Sequence, residues 1–279
     1  MDLQRPYWIA RGRTIVDDEP IIMGIVNITP DSFSDGGRTF TTDTAVEHAL
    51  QLVAQGADIL DLGGESSRPG ANSISLDQEL SRVMPVVERL RTKTSIPISI
   101  DTTKAEVARQ TLGAGADIIN DITALGDPEM AKVILQFGAG VVLMHMAGVP
   151  LTMQADPRYR NVTDEVCQYL RARVELAKSA GIDARSIAID PGIGFGKTFD
   201  HNLELLRNTE TLATLGHAVL VGTSRKGLLG TLTGRPVHER GVASVTSSLL
   251  AVMRGASIAR VHDVGMMVDA LKVWKSLRH

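Results

Sequence analysis

Eight short apolar segments of the chain end in, or are followed at once by, residues able to do polar chemistry: Asn27, Glu65 to Arg68, Asp101, Asn120 with Asp121, His145, Asp190, Ser224 to Lys226, and Arg260 with His262. The carboxylates and carboxamides in this set can accept and donate hydrogen bonds in fixed pairs, and the lysine and arginines offer charge to an anion or a carbonyl. A single Asp or Asn ending a strand is ordinarily a helix cap or a turn residue. Several gathered on one rim instead describe a binding site. Lys226 suits two chemistries, a Schiff-base lysine of the kind barrel aldolases use or a plain cation for an anionic or carbonyl-bearing ligand, and Arg225 beside it favours the second.

Two stretches have the composition of loops that close over a ligand. Residues 29–40, TPDSFSDGGRTF, are rich in small and turn-forming residues yet carry Phe33 with nothing obvious to bury it, and residues 65–73, ESSRPGANS, set Arg68 beside Pro69-Gly70. Long loops in a compact domain are commonly lids, the plainer alternative being surface turns. Residues 192–198, GIGFGKT, invite a nucleotide-loop reading that fails. A Walker A loop needs glycine where Pro191 stands, and a dinucleotide fingerprint needs glycine where Lys197 stands. These glycines are expected to let backbone pass close to a ligand or a neighbouring loop. No HExxH, CxxC or GxSxG occurs, so zinc-hydrolase, dithiol and α/β-hydrolase chemistries have no support.

Residues so spaced need a scaffold that brings strand ends together. From about residue 21, short apolar runs alternate with longer amphipathic ones, the pattern of βα units around a parallel sheet. The runs predict strands at 21–27, 59–63, 96–101, 118–120, 141–144, 187–190, 218–221 and 258–261. Between them, helices are expected at 42–55, at 77–93 behind a Ser75/Gln78 capping box, and at 162–180 with Gly181 following. The tetrapeptide Gly-Ala-Asp-Ile recurs at 56–59 and 115–118, and Gly255-Ala256 repeats its start, so one helix-to-strand unit is being reused. Around Arg11-Gly12-Arg13, residues 7–10 and 14–16 read as a hairpin that could plug the N-terminal end of a barrel. A doubly wound sheet is the alternative, but even spacing and the absence of a linker favour one (β/α)8 TIM-barrel domain over residues 1–279, with the hairpin in 1–20.

With 43% apolar and 22% charged residues in 279, the chain can bury a sizeable core. A net charge of −3 with no basic run argues against nucleic acid or an anionic membrane as partner. A single cysteine, Cys167, excludes an internal disulfide and a thiolate cluster, which fits a reducing cytosol. No export h-region and no long apolar run occur, so a cytoplasmic location is expected.

Taken together, residues 23–37 (MGIVNITPDSFSDGG) and 61–70 (DLGGESSRPG) resemble the two signatures of the dihydropteroate synthases. The likeness continues in order through 99–102 (SIDT), 119–121 (IND), 143–146 (LMHM), 189–197 (IDPGIGFGK), 224–226 (SRK) and 260–264 (RVHDV). It implies a homodimeric, Mg2+-dependent barrel that joins 6-hydroxymethyl-7,8-dihydropterin diphosphate to 4-aminobenzoate. The resemblance gives Asp190 the paired N–H and NH2 donors of the pterin, Asp101 and Asn120 other ring atoms, Lys226 the ring carbonyl and Arg260 the ring face. Asn27 matches the metal-binding asparagine, and Arg68, Arg260 and His262 match the pyrophosphate contacts. Phe33 and Pro69 would wall the 4-aminobenzoate site, Ser67 would add a polar contact, and the carboxylate would meet the start of the helix after Lys226. Many members carry serine after that lysine, whereas this chain has Gly227, which leaves the contact to backbone N–H groups. Asp35 would stabilise a cation developing on the pterin methylene, with Arg68, Lys226 and His262 completing the catalytic set. A pterin-binding methyltransferase would have no use for the pyrophosphate residues, and a non-catalytic pterin-binding paralogue would be expected to lack Phe33, Asp35 or Arg68.

Overall fold

The computed structural model describes residues 6–29 and 41–277. Strands β1 (Trp8–Ala10) and β2 (Arg13–Val16) form the expected antiparallel hairpin, turning at Arg11 and Gly12 with φ of 50° and 74°. The Arg11 guanidinium donates to the carbonyls of Leu112 and Ala116 at 3.0 and 2.8 Å, which ties the hairpin to the protein beneath it.

Eight further strands close a parallel barrel: β3 (Ile21–Asn27), β4 (Ile59–Gly63), β5 (Ile98–Asp101), β6 (Ile118–Asp121), β7 (Gly140–Met144), β8 (Ile187–Asp190), β9 (Ala218–Val221) and β10 (Ile258–Val261). They pair in sequence order, and β10 closes the ring against both β3 and β9. The strand expected from residue 96 begins at Ile98, because Pro97 has no N–H to give a ladder; its carbonyl still accepts from Leu60 N at 3.1 Å.

Helices cover the outside: α1 (Thr42–Ala54), α2 (Leu76–Arg91), α3 (Ala105–Gly113), α4 (Met130–Phe137), α5 (Val162–Ser179), α6 (Phe199–Arg207), α7 (Thr209–Ala213), α8 (Gly227–Thr233), α9 (Gly241–Met253) and α10 (Val264–Leu277). The Ser75/Gln78 capping box is formed in both directions, at 3.2 and 3.1 Å, and fixes where α2 starts. The Gly-Ala-Asp repeat has a geometric basis. Gly56, Gly115 and Gly255 take φ of 101°, 110° and 100°, which lets the next N–H reach back to Leu52, Thr111 and Ala251 and stops each helix. Asp58 and Asp117 then accept the N–H of Ile22 and Ile98, at 2.8 and 2.9 Å, stapling each new strand to the one before it.

Two buried clusters result. One lies between strands and helices, and the other fills the barrel, where Trp8, Ala10 and Val16 of the hairpin join Met23, Ile59, Ile118, Val142, Ala188, Ala218, Leu220 and Ile258. Trp8 is wholly buried and donates to Ser186 O at 3.0 Å. The hairpin therefore plugs one end of the barrel and leaves the other for polar groups.

Candidate active site

All eight barrel strands run the same way, so their C-terminal ends open on one face. Asn27 ends β3, Asp101 ends β5, Asn120 and Asp121 end β6, and Asp190 ends β8. His145 follows β7, Lys226 precedes α8, Arg260 lies in β10 and His262 follows it. These residues therefore lie at one end of the barrel, but the Asp121 carboxylate is taken up by Thr123 and Leu125 N and the His145 ring by Lys197 and the Tyr159 and Tyr169 rings, so neither faces the mouth.

Arg260 is the hub. Its Nε donates to Asp61 Oδ2 at 2.6 Å and its Nη2 to Asp101 Oδ2 at 2.9 Å, while Asn120 Nδ2 reaches the same Asp61 oxygen at 3.3 Å. Burial drives the Asp101 carboxyl up to about 7; Arg260 opposes that rise, and the neighbouring Asp61 adds to it. Asp61 Oδ1, Ser99 Oγ and Asn120 Oδ1 are buried with no hydrogen-bonding partner among the described residues. Buried polar atoms of this kind call for a ligand or an ordered water.

On the opposite side Asp190 is buried, its Oδ1 accepting from Gly192 N at 2.6 Å. Desolvation raises its carboxyl, and Lys226, Arg260 and Lys197 hold it down. Lys226 Nζ donates to Ile193 O and sits 4.3 Å above the Phe195 ring. Burial lowers its ammonium to about 8, against the pull of Asp190. The glycines of residues 192–198 serve a neighbouring loop: a Cβ on Gly192, at φ 67°, would stand 1.9 Å from His145 O.

Three of the expected residues flank this core on the loop after β4. Arg68 and Pro69 are exposed and Ser67 is half-buried. The loop is anchored by Gly70 N to Pro150 O at 3.0 Å and by Glu65, which accepts from Ile74 N and pairs with Lys104. His262 Nδ1 lies 3.0 Å from Ser224 Oγ, and its ring is driven down to about 3 by burial first and then by Arg225, Arg260 and Arg68. Arg68 therefore acts on the same space as His262 and Arg260. Arg225, at φ 58°, pairs with Asp263 at 2.7 Å and lies close enough to His262 to act on it too. Gly227 opens α8 with nothing within 4 Å of where a Cβ would be. Phe33 and Asp35 lie outside the described residues.

Sequence reasoning missed two members. Asp61 lies inside β4 instead of at its end, and the signal was a carboxylate within the buried run Ile-Leu-Asp-Leu-Gly. Lys197, 2% exposed, bonds His145 Nδ1 at 2.9 Å, a pairing across 52 residues that no local pattern announces. The charged set is therefore Asp61, Asp101 and Asp190 against Arg260, Lys226 and Lys197.

Comparison with known proteins agrees with this geometry. The model of the family described as pterin binding enzyme matches residues 23–262. The dihydropteroate synthase of Neisseria meningitidis serogroup C is 46% identical, with 99% of each chain covered, and that of Haemophilus influenzae is 44% identical over 92% of this chain and 94% of its own. Among solved structures, the Xanthomonas albilineans dihydropteroate synthase with 4-aminobenzoic acid superposes with a TM-score of 0.91 at 47% identity, covering 98% of both chains. The Burkholderia cenocepacia dihydropteroate synthase complexed with 7,8-dihydropteroate gives 0.89 at 42%, covering 98% of this chain and 97% of that one. With its strand-end residues gathered at one barrel mouth and its likeness running nearly end to end, the chain belongs to the pterin-binding enzyme family, among the dihydropteroate synthases.

Proposed function

We propose that the protein condenses 6-hydroxymethyl-7,8-dihydropterin diphosphate with 4-aminobenzoate to 7,8-dihydropteroate and pyrophosphate, a transfer of a pterinylmethyl group. The observation that carries this is the pair of facing sets in the mouth, Asp190 with Lys226 and Asp101 with Asn120 and Arg260, beside three buried polar atoms that lack partners. A pterin edge carries adjacent N–H and NH2 donors next to a carbonyl. Asp190 accepts the donors, Lys226 leaves Ile193 O for the carbonyl, Asp101 and Asn120 read the remaining ring atoms, and Arg260 lies against the ring.

In the reaction the methylene C–O bond breaks, a C–N bond to the arylamine forms, and the amine loses one proton to solvent. The amine is a neutral nucleophile at pH 7, so no strong base is required. Arg68, Arg260 and His262 stabilise the departing pyrophosphate, and Asp35 stabilises cationic charge on the methylene. Pro69, Ser67 and Phe33 border the 4-aminobenzoate site, with Lys226 and the backbone of Gly227 at its carboxylate.

The donor set also fits Mg2+ brought in by the substrate. A hard cation that keeps its waters needs only one or two protein oxygens besides the diphosphate's. The Asn27 carboxamide is such an oxygen, and no cluster of three or more His, Cys, Asp or Glu side chains suited to a metal exists among the described residues. When bound, Mg2+ would neutralise charge on the leaving group. A homodimer is supported by the apolar side chains exposed on α9 and α10, among them Val242, Met253, Met266 and Val273. A cytoplasmic site of action suits the lone cysteine, and among the described residues no helix is long and apolar enough to cross a membrane.

The test is a coupling assay with the pterin diphosphate, 4-aminobenzoate and Mg2+, following dihydropteroate and pyrophosphate together. Equal amounts of both are expected. Folded protein that yields neither rejects the proposal in favour of a non-catalytic pterin binder.

A further inference from the structure

Lys197 is buried to 2% exposure, and every contact of its ammonium is internal. Nζ lies 2.9 Å from Gly192 O, 2.9 Å from Phe195 O, 3.3 Å from His145 O and 2.9 Å from His145 Nδ1. An ammonium has three protons and no lone pair, so His145 Nδ1 accepts and the imidazole proton sits on Nε2. Burial, with Lys197 beside it, drives the His145 ring down to about 3, which keeps it neutral for that role. The crowding of oxygens follows from the glycines. A Cβ on Gly192 would stand 1.9 Å from His145 O, and one on Gly196 would stand 2.6 Å from Ala147 O, so the loops after β7 and β8 touch backbone to backbone. Three carbonyls pointed at one spot repel unless a cation sits there.

The residues clamped this way meet the substrate site from the other side. Gly192 N donates to Asp190, Ile193 O receives Lys226 Nζ, and the Phe195 ring lies 4.3 Å beneath that same ammonium. We infer that Lys197 is a positioning residue of the pterin pocket: by clamping residues 192–195 against His145 it sets where Asp190 and Lys226 meet the pterin. This rests on the functional reading above. Lys197 acts through its neighbours and touches no substrate. It also places a third positive charge behind Asp190, whose other charged neighbours are Lys226 and Arg260. Burial lowers the Lys197 ammonium to about 7, with Asp190 pulling it up and Lys226 pushing it down, so it is fully charged across the acid range where Asp190 protonates; the Tyr169 and Tyr159 rings flank His145 at 4.9 and 6.0 Å.

Lys197→Met keeps most of the length of the side chain and removes the charge. The loop retains other anchors, Gly194 N to Asn202 Oδ1 at 2.6 Å, Gln154 Nε2 to Gly194 O at 2.7 Å and Tyr159 Oη to Gly196 O at 2.8 Å. In the full-length variant, KM for the pterin diphosphate should rise about 10- to 100-fold while KM for 4-aminobenzoate moves less than about threefold. The acid limb of pterin binding, set by protonation of Asp190, should move to higher pH, because a cation facing that carboxylate is gone. Asn202→Ala loosens the same loop without removing charge; it should raise the pterin KM and leave the acid limb in place. Folded Lys197→Met with a wild-type pterin KM and acid limb overturns the inference, as does an equal rise in both KM values. If Lys197→Met does not fold, Lys197→Arg, which keeps a charge but cannot meet the same four acceptors, takes its place, and a wild-type pterin KM in that folded variant overturns the inference instead. Wild-type protein that binds no pterin diphosphate in calorimetry rejects the functional reading itself, an outcome these variants cannot mimic.

Discussion

Asp61 is the residue on which the pocket's geometry turns, and replacing it with asparagine separates its charge from its shape. One oxygen, Oδ2, accepts from Arg260 Nε at 2.6 Å and from Asn120 Nδ2 at 3.3 Å, and the side chain is completely buried. Stripping one partner from a buried ion pair costs about 3 to 5 kcal/mol when the other charge is left uncompensated. Here Arg260 keeps Asp101 at 2.9 Å, and asparagine retains an acceptor oxygen. The expected loss of stability for Asp61→Asn is therefore smaller, about 1 to 3 kcal/mol, near the worth of one charge-assisted hydrogen bond. Arg260 and Asn120 both shift when that oxygen loses its charge, so pterin affinity should fall about tenfold, which is about 1.4 kcal/mol. A second effect has a definite sign. The Asp61 charge helps raise the Asp101 carboxyl to about 7, so its removal must lower that value. Carbon-13 NMR of labelled aspartate carboxyls reads this directly, and calorimetry with the pterin diphosphate reads the affinity. An Asp101 titration unmoved in Asp61→Asn, together with pterin affinity within twofold of wild type, would refute the reasoning.

Asp190→Ala, which leaves two ligand donors unpaired in a buried site, should cost about 2 to 4 kcal/mol of pterin binding by calorimetry, and unchanged affinity would remove Asp190 from the pocket. Asp101 titrates near 7 in the folded chain against about 3.9 unfolded, so its contribution to stability is complete below pH 4 and is lost as pH rises through 7. Between pH 5 and 8 the urea midpoint of wild type should accordingly fall more steeply than that of Asp101→Asn, by up to about 2 to 4 kcal/mol in stability; parallel slopes would contradict it. Gly227→Ser fills space that holds nothing within 4 Å and adds a hydroxyl at the start of α8. It should tighten 4-aminobenzoate binding by about 0.5 to 1.5 kcal/mol with little change in melting temperature, and an unaltered KM would show that the carboxylate lies elsewhere.

The barrel was legible because a parallel sheet buried on both faces writes its strands as apolar runs, and each run here ends in, or leads within a few residues to, polar groups at that end of the barrel. The Gly-Ala-Asp repeat was legible because only a positive-φ residue ends a helix in that way and the following Asp has a fixed backbone donor to meet, Ile22 for Asp58 and Ile98 for Asp117. Asp61 escaped the same logic because it sits two residues before the end of β4, opposite Ser99, at a level where most neighbours are aliphatic. Its partner Arg260 is 199 residues away. Lys197 escaped because the glycines around it resemble a phosphate loop, and only the approach of the loop after β7 shows that its ligands are the protein's own carbonyls.

The residues that were hardest to read share a physical property. Asp61 and Lys197 are charged, buried and turned toward other protein groups, and each holds in place a residue that faces the mouth. The mouth residues are under opposing demands: burial pushes Asp101 and Asp190 toward their neutral forms and Lys226 toward its own, while their mutual attraction favours the charged ones. Burying these groups is costly, and Asp61 Oδ1, Ser99 Oγ and Asn120 Oδ1, buried without a protein partner among the described residues, add to the cost. A flat ligand with paired donors beside a carbonyl relieves these costs together, because it supplies donors to the carboxylates and an acceptor to the lysine without bringing in water. Affinity in this pocket therefore depends on holding the charged groups apart at fixed positions before the ligand arrives, and that is the work of Asp61 on one side and Lys197 on the other.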